Sequence, residues 1–102
     1  DISFTGADIG GITGIDTVTS INASFAVNAK SAANVRFYVG VYDKMTNKCV
    51  AINNPINTTL SVGNNIYPVT LGGIKASANN YIRMFAFAED GRPLFAIDYF
   101  RR

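Results

Sequence analysis

The 102-residue sequence has no histidine, no tryptophan, one cysteine and, among its seven acidic residues, one glutamate. Without histidine there is no Ser-His-Asp triad, no imidazole proton shuttle and no histidine-based zinc site. Cys49 lacks a second cysteine for a disulfide or a CxxC pair. Glycoside hydrolysis needs two carboxyl groups that face one another, and Glu89 has only its neighbour Asp90 in the same predicted turn. We therefore expect a protein that is not an enzyme and has no cofactor.

Charge is also scarce: charged residues are 16% of the chain, and the net charge is +2. The longest basic cluster is Arg101-Arg102, so we expect no nucleic-acid partner. No apolar run approaches the roughly 20 residues of a membrane-spanning helix, so we expect no membrane insertion. Hydrophobic residues make up 48%, which favours a single domain with a packed core. Because the chain opens at Asp1, we expect one module of a longer polypeptide.

Apolar and polar residues alternate with a period of two along much of the chain after Gly14. This alternation is typical of β-strands, whose successive side chains point to opposite faces. Turn signals rich in Gly, Asn, Asp and Pro separate the alternating segments. The predicted strands cover residues 21–28, 35–43, 49–53, 58–62, 66–71, 81–88 and 94–100. We predict an all-β protein, an antiparallel two-sheet sandwich of about seven strands over residues 15–102.

Residues 1–14 hold four of the nine glycines and a short candidate strand at residues 2–5. Glycine permits positive φ and tight turns, so we predict a flexible glycine-rich segment ahead of the sandwich. The glycine spacing matches neither GxGxxG nor GxxxxGK, which argues against a phosphate-binding loop.

The alternation also predicts which side chains form the core. Residues 81–88 are apolar on both faces, which indicates a central strand of a sheet. Cys49 follows a polar hairpin in a short strand, where we expect a buried and inert thiol. The predicted core residues are Phe25, Val27, Phe37, Val39, Val41, Ile97 and either Ile82 or Phe85.

The order of short motifs between residues 35 and 94 resembles a known class of module. Val41-Tyr42-Asp43 precedes a polar hairpin, and Leu60-Ser61-Val62-Gly63 leads into the next strand. A Tyr-x-Arg-x-Phe-x-Phe strand beginning at Tyr81 precedes Pro93-Leu94. This pattern resembles the immunoglobulin-like or fibronectin-III-like accessory modules of secreted bacterial surface proteins and polysaccharide-degrading enzymes. The resemblance implies an Ig-like fold, an extracellular or cell-surface location, and a non-catalytic role as a spacer or docking surface beside neighbouring domains.

One strand face is the candidate binding surface. If the alternating valines and Phe37 of residues 35–41 face the core, then Arg36, Tyr38 and Tyr42 face outward. Neighbouring strands add further tyrosine and arginine. These two residue types are enriched at binding hot spots, and flat rings with guanidinium groups also suit sugars. The candidate residues are Arg36, Tyr38, Tyr42, Arg83 and Tyr99. The expected partner is a neighbouring domain or another protein. The alternative function is that of a carbohydrate-binding module, whose partner is a polysaccharide. If the face binds nothing, its tyrosines only stabilise the sheet surface.

Four aspartates lie in predicted loops, where carboxylates and backbone carbonyls can bind calcium. They are Asp8, Asp16, Asp43 and Asp90. No DxDxDG array is present, and aspartate in a turn commonly accepts hydrogen bonds from its own backbone. We predict no metal site.

Overall fold

The computed structural model describes residues 2–10, 12 and 14–101, without the side chains of residues 3, 4, 7 and 8. Its described residues form eight β-strands, so the all-β prediction is confirmed with one strand more than expected. They contain no helix long and apolar enough to cross a membrane. The strands are β1 (Ile2–Ile9), β2 (Val18–Ala29), β3 (Ala33–Asp43), β4 (Cys49–Ile52), β5 (Ile56–Leu60), β6 (Gly63–Ala76), β7 (Asn80–Ala88) and β8 (Pro93–Tyr99).

The strands form two antiparallel sheets that enclose one core. The three-stranded sheet has the order β1-β2-β6. The five-stranded sheet has the order β4-β3-β7-β8, and β5 also pairs with β3. These orders correspond to the A-B-E and C-F-G strands of immunoglobulin-like sandwiches, with β4 in the C′ position. The predicted two-sheet sandwich is therefore confirmed.

The N-terminal segment differs from the prediction. Residues 2–9 form the strand β1, which pairs with β2 from Ile2 opposite Ala29 to Ile9 opposite Ala23. A bulge between Phe4 and Gly6 accommodates the glycine within the strand. The short strand predicted at residues 2–5 is confirmed and continues to Ile9, so the predicted flexible segment is wrong over these residues. Ile, Phe and Thr favour strands, and β2 supplies the main-chain partner that extends the pairing past Gly6. Residues 2–9 are thus a strand of the sandwich and not a flexible segment ahead of it.

The core contains the residues that the alternation predicted. Phe25, Val27, Phe37, Val39, Val41 and Ile82 are fully buried, and Ile97 is partly buried against them. Of the two alternatives for β7, Ile82 faces the core and Phe85 does not. The Phe25 and Phe37 rings stack across the two sheets with centroids 4.6 Å apart. Phe95 and Tyr67 extend this row at 5.8 Å and 5.6 Å, so aromatic rings cross the whole core.

The sequence accounts for the positions of β7 and Pro68 in the sheets, but not for the length of β6. β7 lies between β3 and β8, as its two apolar faces predicted. Pro68 lies in β6, an edge strand, where its missing N–H breaks no ladder. Gly72-Gly73 was expected to end that strand, but β6 continues to Ala76. Gly73 has φ of +68° beside a bulge in the pairing with β2, and the bulge lets the strand continue.

The free side of β3 is covered by two short strands with a gap between them. β4 ends at Ile52 and β5 begins at Ile56, so neither strand pairs with the middle of β3. Asn53 fills this gap: its Oδ1 accepts a hydrogen bond from the Val39 N–H at 2.7 Å, and its own N–H donates to the Val39 carbonyl. The Asn53 amide also donates to the Asn54 carbonyl at 2.7 Å. A buried side chain thus completes the ladder along β3.

Candidate functional site

The outer face of the five-stranded sheet carries most of the predicted binding residues. Arg36, Tyr38 and Tyr42 lie on the side of β3 opposite the core. Residues opposite one another in an antiparallel pair share a face, so β7 adds its own row to this surface. We call the combined surface the aromatic-basic face; its residues are Arg36, Tyr38, Tyr42, Tyr81, Arg83, Phe85 and Phe87.

Tyr99 lies on the other side of the sheet. The register pairs Tyr99 with Ile82 and Ile97 with Met84, and both partners are buried. Tyr99 therefore packs against the core, and its assignment to the binding face is wrong. A signal was available: Ile97 was expected to face the core, and a residue two positions along a strand faces the same way. Asp98 takes the place on the outer face.

Three rings form a cluster on the aromatic-basic face. Tyr38 stacks on Phe85 with centroids 4.9 Å apart and planes 6° from parallel. Phe87 meets both rings edge-on, at 5.8 Å from Tyr38 and 5.7 Å from Phe85. All three side chains are half-buried within the chain. A depression of about 340 Å³ runs beside the cluster to Pro93 and Ala96 in β8, within the size range of ligand sites.

A second group of rings stacks with arginine at the other end of the face. Tyr42 and Tyr81 stack at 5.6 Å, and the Arg83 guanidinium lies 5.4 Å and 5.7 Å from their centroids. Arg101 lies 4.1 Å from the Tyr81 centroid, which explains why Tyr81 is buried on an outward-facing strand side. Asn47 Oδ1 accepts hydrogen bonds from the Tyr81 hydroxyl and from Arg101, joining the β3–β4 hairpin to the C-terminal segment.

Arg83 is held in place by Asp98. Its Nε donates to Asp98 Oδ1 at 2.7 Å and its Nη2 to Oδ2 at 3.2 Å, the two-pronged geometry that arginine favours. The hydrogen bond with Asp98 is the main cause that raises the pKa of Arg83 above its ordinary value. Because both side chains are partly exposed, the pair stabilises the fold by at most about 1 kcal/mol. Its main effect is to orient the guanidinium over the tyrosines.

Cys49 is exposed, contrary to the prediction of a buried thiol. It lies in the edge strand β4, and the register sets it opposite Tyr42 on the outer side of the sheet. Burial raises the pKa of Tyr42, and the neighbouring thiol of Cys49 raises it further. The Cys49 Sγ contacts the Ala51 carbonyl oxygen at 3.5 Å. The thiol is therefore part of the surroundings of a predicted site residue.

A polar cleft adjoins the three-ring cluster, with a volume of about 430 Å³. Arg36 Nε donates to Asn57 Oδ1 at 2.9 Å across β3 and β5. Thr59 Oγ1 donates to Asn34 Oδ1 at 2.6 Å, and Asn34 Nδ2 donates to Glu89 Oε2 at 2.7 Å. Of these residues the sequence singled out only Arg36 as a binding residue. The others come from separate segments that only the sheet brings together.

The loop aspartates form no metal centre in the part of the chain that the structure describes. Asp43 Oδ1 accepts the backbone N–H groups of Met45 and Thr46, and these hydrogen bonds lower the pKa of Asp43. Asp90 Oδ1 accepts the N–H of Arg92. The side chain of Asp8 lies outside the described residues. Asp43 and Asp90 thus stabilise their own turns.

Comparisons with known proteins identify the fold. No protein-family model and no curated protein matches the chain. A beta-glucuronidase of Bacteroides uniformis matches with a TM-score of 0.60 and 9% identity, over 96% of this chain and 12% of its own. A beta-glucosidase of Listeria innocua, solved with laminaribiose, matches with a TM-score of 0.52 and 10% identity, over 96% of this chain and 15% of its own. At these identities the likeness shows the sandwich fold alone. The chain spans only a small part of the length of both enzymes.

Proposed function

We propose that this chain is a non-catalytic accessory module of a larger extracellular polypeptide, and that it docks a neighbouring domain through the aromatic-basic face. The observation that supports docking is the three-ring cluster of Tyr38, Phe85 and Phe87 on the outer face of the five-stranded sheet, where all three rings are half-buried. Antiparallel sheets commonly present polar side chains on such a face. An aromatic cluster there marks a binding surface.

Rigidity and composition of the face support docking. The ring stacks and the Arg83–Asp98 pair hold the side chains in one arrangement, so little conformational entropy is lost on binding. Tyrosine and arginine are also the residue types most enriched at interface hot spots. The solved structures add indirect support, since in each a sandwich of this fold is a small part of a much longer chain.

The non-catalytic role rests on the placement of the carboxylates. Glu89 and Asp90 are consecutive in the β7–β8 turn, and each already accepts a hydrogen bond from the chain. Neighbours in a turn do not face one another across a substrate, as both glycosidase geometries require. The extracellular location comes from the resemblance to secreted modules; fractionation of the source cells with an antibody against the module tests it.

A thermodynamic cycle tests docking. Tyr38 and Tyr42 are replaced together by Ser, both in the isolated chain and in the full polypeptide, and the melting temperature of the module is measured in each. We expect a larger loss in the full polypeptide, because only there does the substitution also break the interface. Ile66→Ser on the outer face of the other sheet, where Ile66 is 75% exposed, is the matched control. Equal losses in both contexts would exclude docking through this face.

A second candidate function is carbohydrate binding, and the parallel stack of Tyr38 on Phe85 beside a polar cleft favours it. Aromatic rings cover the apolar face of a sugar while amide and guanidinium groups bond its hydroxyls. Retention of the isolated chain on insoluble polysaccharides, compared with the Tyr38/Tyr42 double variant, tests this function. A chain that passes through every polysaccharide unretained is not a carbohydrate-binding module.

A further inference from the structure

The polar cleft beside the three-ring cluster has the composition of a binding site for hydroxyl groups. Its lining comes from β3, β5 and the turn after β7, and all but one of its lining residues have polar side chains. The Glu89 N–H donates to the Asn34 carbonyl oxygen at 3.1 Å, which fixes the turn against β3. The lining residues are Asn34, Val35, Arg36, Asn57, Thr58, Thr59 and Glu89.

Hydrogen bonds within the cleft orient its side chains. Other polar groups of the same side chains remain available to bind a ligand. Arg36 uses Nε toward Asn57, and Glu89 uses Oε2 toward Asn34. Among the described residues, the Nη groups of Arg36, the Nδ2 group of Asn57 and Oε1 of Glu89 have no further protein partner. Residues with available donors and an acceptor therefore line one space. A hydroxyl group both donates and accepts, so it matches this mixture.

The cleft carries one charge of each sign, so neither an anion nor a cation gains a net attraction there. Arg36 supplies one positive group and Glu89 one negative group, and both line the same space. An anionic ligand would approach the Glu89 carboxylate, and a cationic ligand would approach the Arg36 guanidinium. A neutral ligand rich in hydroxyls meets neither repulsion.

Phe87 does not line the cleft but lies beside the lining residue Arg36 on the same sheet face. Phe87 lies opposite Arg36 in the register of β3 and β7, and Tyr38 meets Phe87 edge-on at 5.8 Å. Sugars have both a hydroxyl-bearing edge and an apolar C–H face. We propose that the cleft binds a neutral oligosaccharide, with Arg36, Asn57 and Glu89 bonding its hydroxyls and Phe87 against an apolar sugar face. This inference deepens the carbohydrate-binding candidate above and rests on it.

Titration of the isolated chain with oligosaccharides of three charge classes tests the proposal. The probes are cellohexaose, xylohexaose, laminarihexaose and mannohexaose as neutral ligands, a galacturonic acid oligomer as the acidic one, and a glucosamine oligomer as the cationic one. Two-dimensional NMR follows the side-chain amides of Asn34 and Asn57. We expect at least one neutral oligosaccharide to saturate these signals and to bind more tightly than both charged oligomers.

Substitutions separate the cleft from the rest of the surface. We expect Arg36→Ala and Asn57→Ala each to weaken binding about tenfold, because each removes donors to the ligand. We expect Glu89→Gln to raise the affinity for the acidic oligomer relative to the neutral one. Asn22→Ala is the matched control, because Asn22 is an exposed amide that accepts a cross-strand hydrogen bond from Thr70 on the other sheet. It should leave binding unchanged.

Three results would overturn the inference: no saturable binding of any neutral probe, tighter binding of a charged one, or an equal loss in the Asn22 variant. Binding that survives Arg36→Ala and Asn57→Ala but is lost in the Tyr38/Tyr42 variant would place the sugar on the aromatic-basic face outside the cleft. In that case the carbohydrate-binding candidate stands and the cleft inference fails. The docking proposal is decided separately, by the melting temperatures in the full polypeptide.

Discussion

Phe25 in β2 and Phe37 in β3 stack face to face across the sandwich, with ring centroids 4.6 Å apart and planes 27° from parallel. Both side chains are almost wholly buried. This pair joins the three-stranded sheet to the strand that carries Arg36 and Tyr38 on its opposite side. The packing of the core therefore fixes the orientation of the candidate binding face.

We expect Phe37→Ala to lower the free energy of unfolding by about 3–5 kcal/mol, because it removes a large buried side chain and leaves a cavity. Small domains are stable by only about 5–15 kcal/mol, so the loss is a large share of the total. Urea denaturation measures it. Phe87→Ala, on the half-buried outer face, is the matched control and should cost less. A loss below about 1 kcal/mol for Phe37→Ala would contradict its central position.

We expect Asn53→Ala to cost about 1–3 kcal/mol, because the Val39 N–H in the middle of β3 loses its acceptor inside the protein. Chemical denaturation gives the loss, and hydrogen exchange should locate it at Val39. The neighbouring Asn54 is exposed, and Asn54→Ala should change stability by less than about 0.5 kcal/mol. Similar effects of the two substitutions would mean that Asn53 does not bridge β4 and β5.

We expect Gly40→Ala to destabilise the protein by about 1–3 kcal/mol through a clash with Tyr42. A Cβ at Gly40 would stand 2.7 Å from Cε1 of the Tyr42 ring, so this ring, which stacks on Tyr81, must shift. The same substitution in a Tyr42→Ser background should cost much less. A double-mutant cycle measured by denaturation checks this, and additive effects would show that the two residues do not touch.

We expect the Tyr42 hydroxyl to titrate above its ordinary pKa of about 10, since burial and the Cys49 thiol both oppose its ionisation. Because the pKa is raised in the folded state, the associated stability is present below about pH 10 and is lost as the pH rises through the folded value. Absorbance at the phenolate band, compared with a Tyr42→Phe variant, isolates this titration. Cys49→Ala should lower the Tyr42 pKa without restoring it fully, because burial is the larger cause. An unchanged value in Cys49→Ala would remove the thiol as a cause.

We expect the purified chain to release no reducing sugar from polysaccharides and no fragments from casein. Turnover that is unaffected by Glu89→Gln would exclude Glu89 as its cause. Turnover that this substitution abolishes would make Glu89 catalytic and overturn the non-catalytic role. Since the glutamine also keeps an oxygen for the Asn34 amide, loss of the fold is not expected.

The period-two alternation by itself determined which residues of β2 and β3 face the core. Phe25, Phe37 and Val39 were assigned correctly because every strand of a sandwich has one buried face, and a burial pattern of period two is local information. The same pattern placed Arg36 and Tyr38 outside. Fold class followed as well, since short alternating segments between turn signals have few other ways to bury their apolar faces.

Tertiary structure alone decided which residues become neighbours on those faces. Strand register depends on pairing between distant segments, so the polar cleft of Arg36, Asn57 and Glu89 has no local signature. The burial of Tyr81 depends on Arg101, which follows the last strand and folds back over the ring. Cys49 was misplaced for a related reason: in an edge strand, alternation does not predict which residues stay exposed.

Strand β1 and Asn53 show the same division between what local sequence predicts and what tertiary structure decides. Residues 2–9 contain one glycine and several residues that favour strands, and pairing with β2 decides that the whole segment forms β1. Asparagine is common in turns, yet Asn53 is buried because the gap between β4 and β5 leaves the Val39 N–H without a main-chain acceptor. Local alternation in the sequence determined the faces of central segments such as β2 and β3. The pairing of main-chain groups, which no single segment encodes, determined the partners.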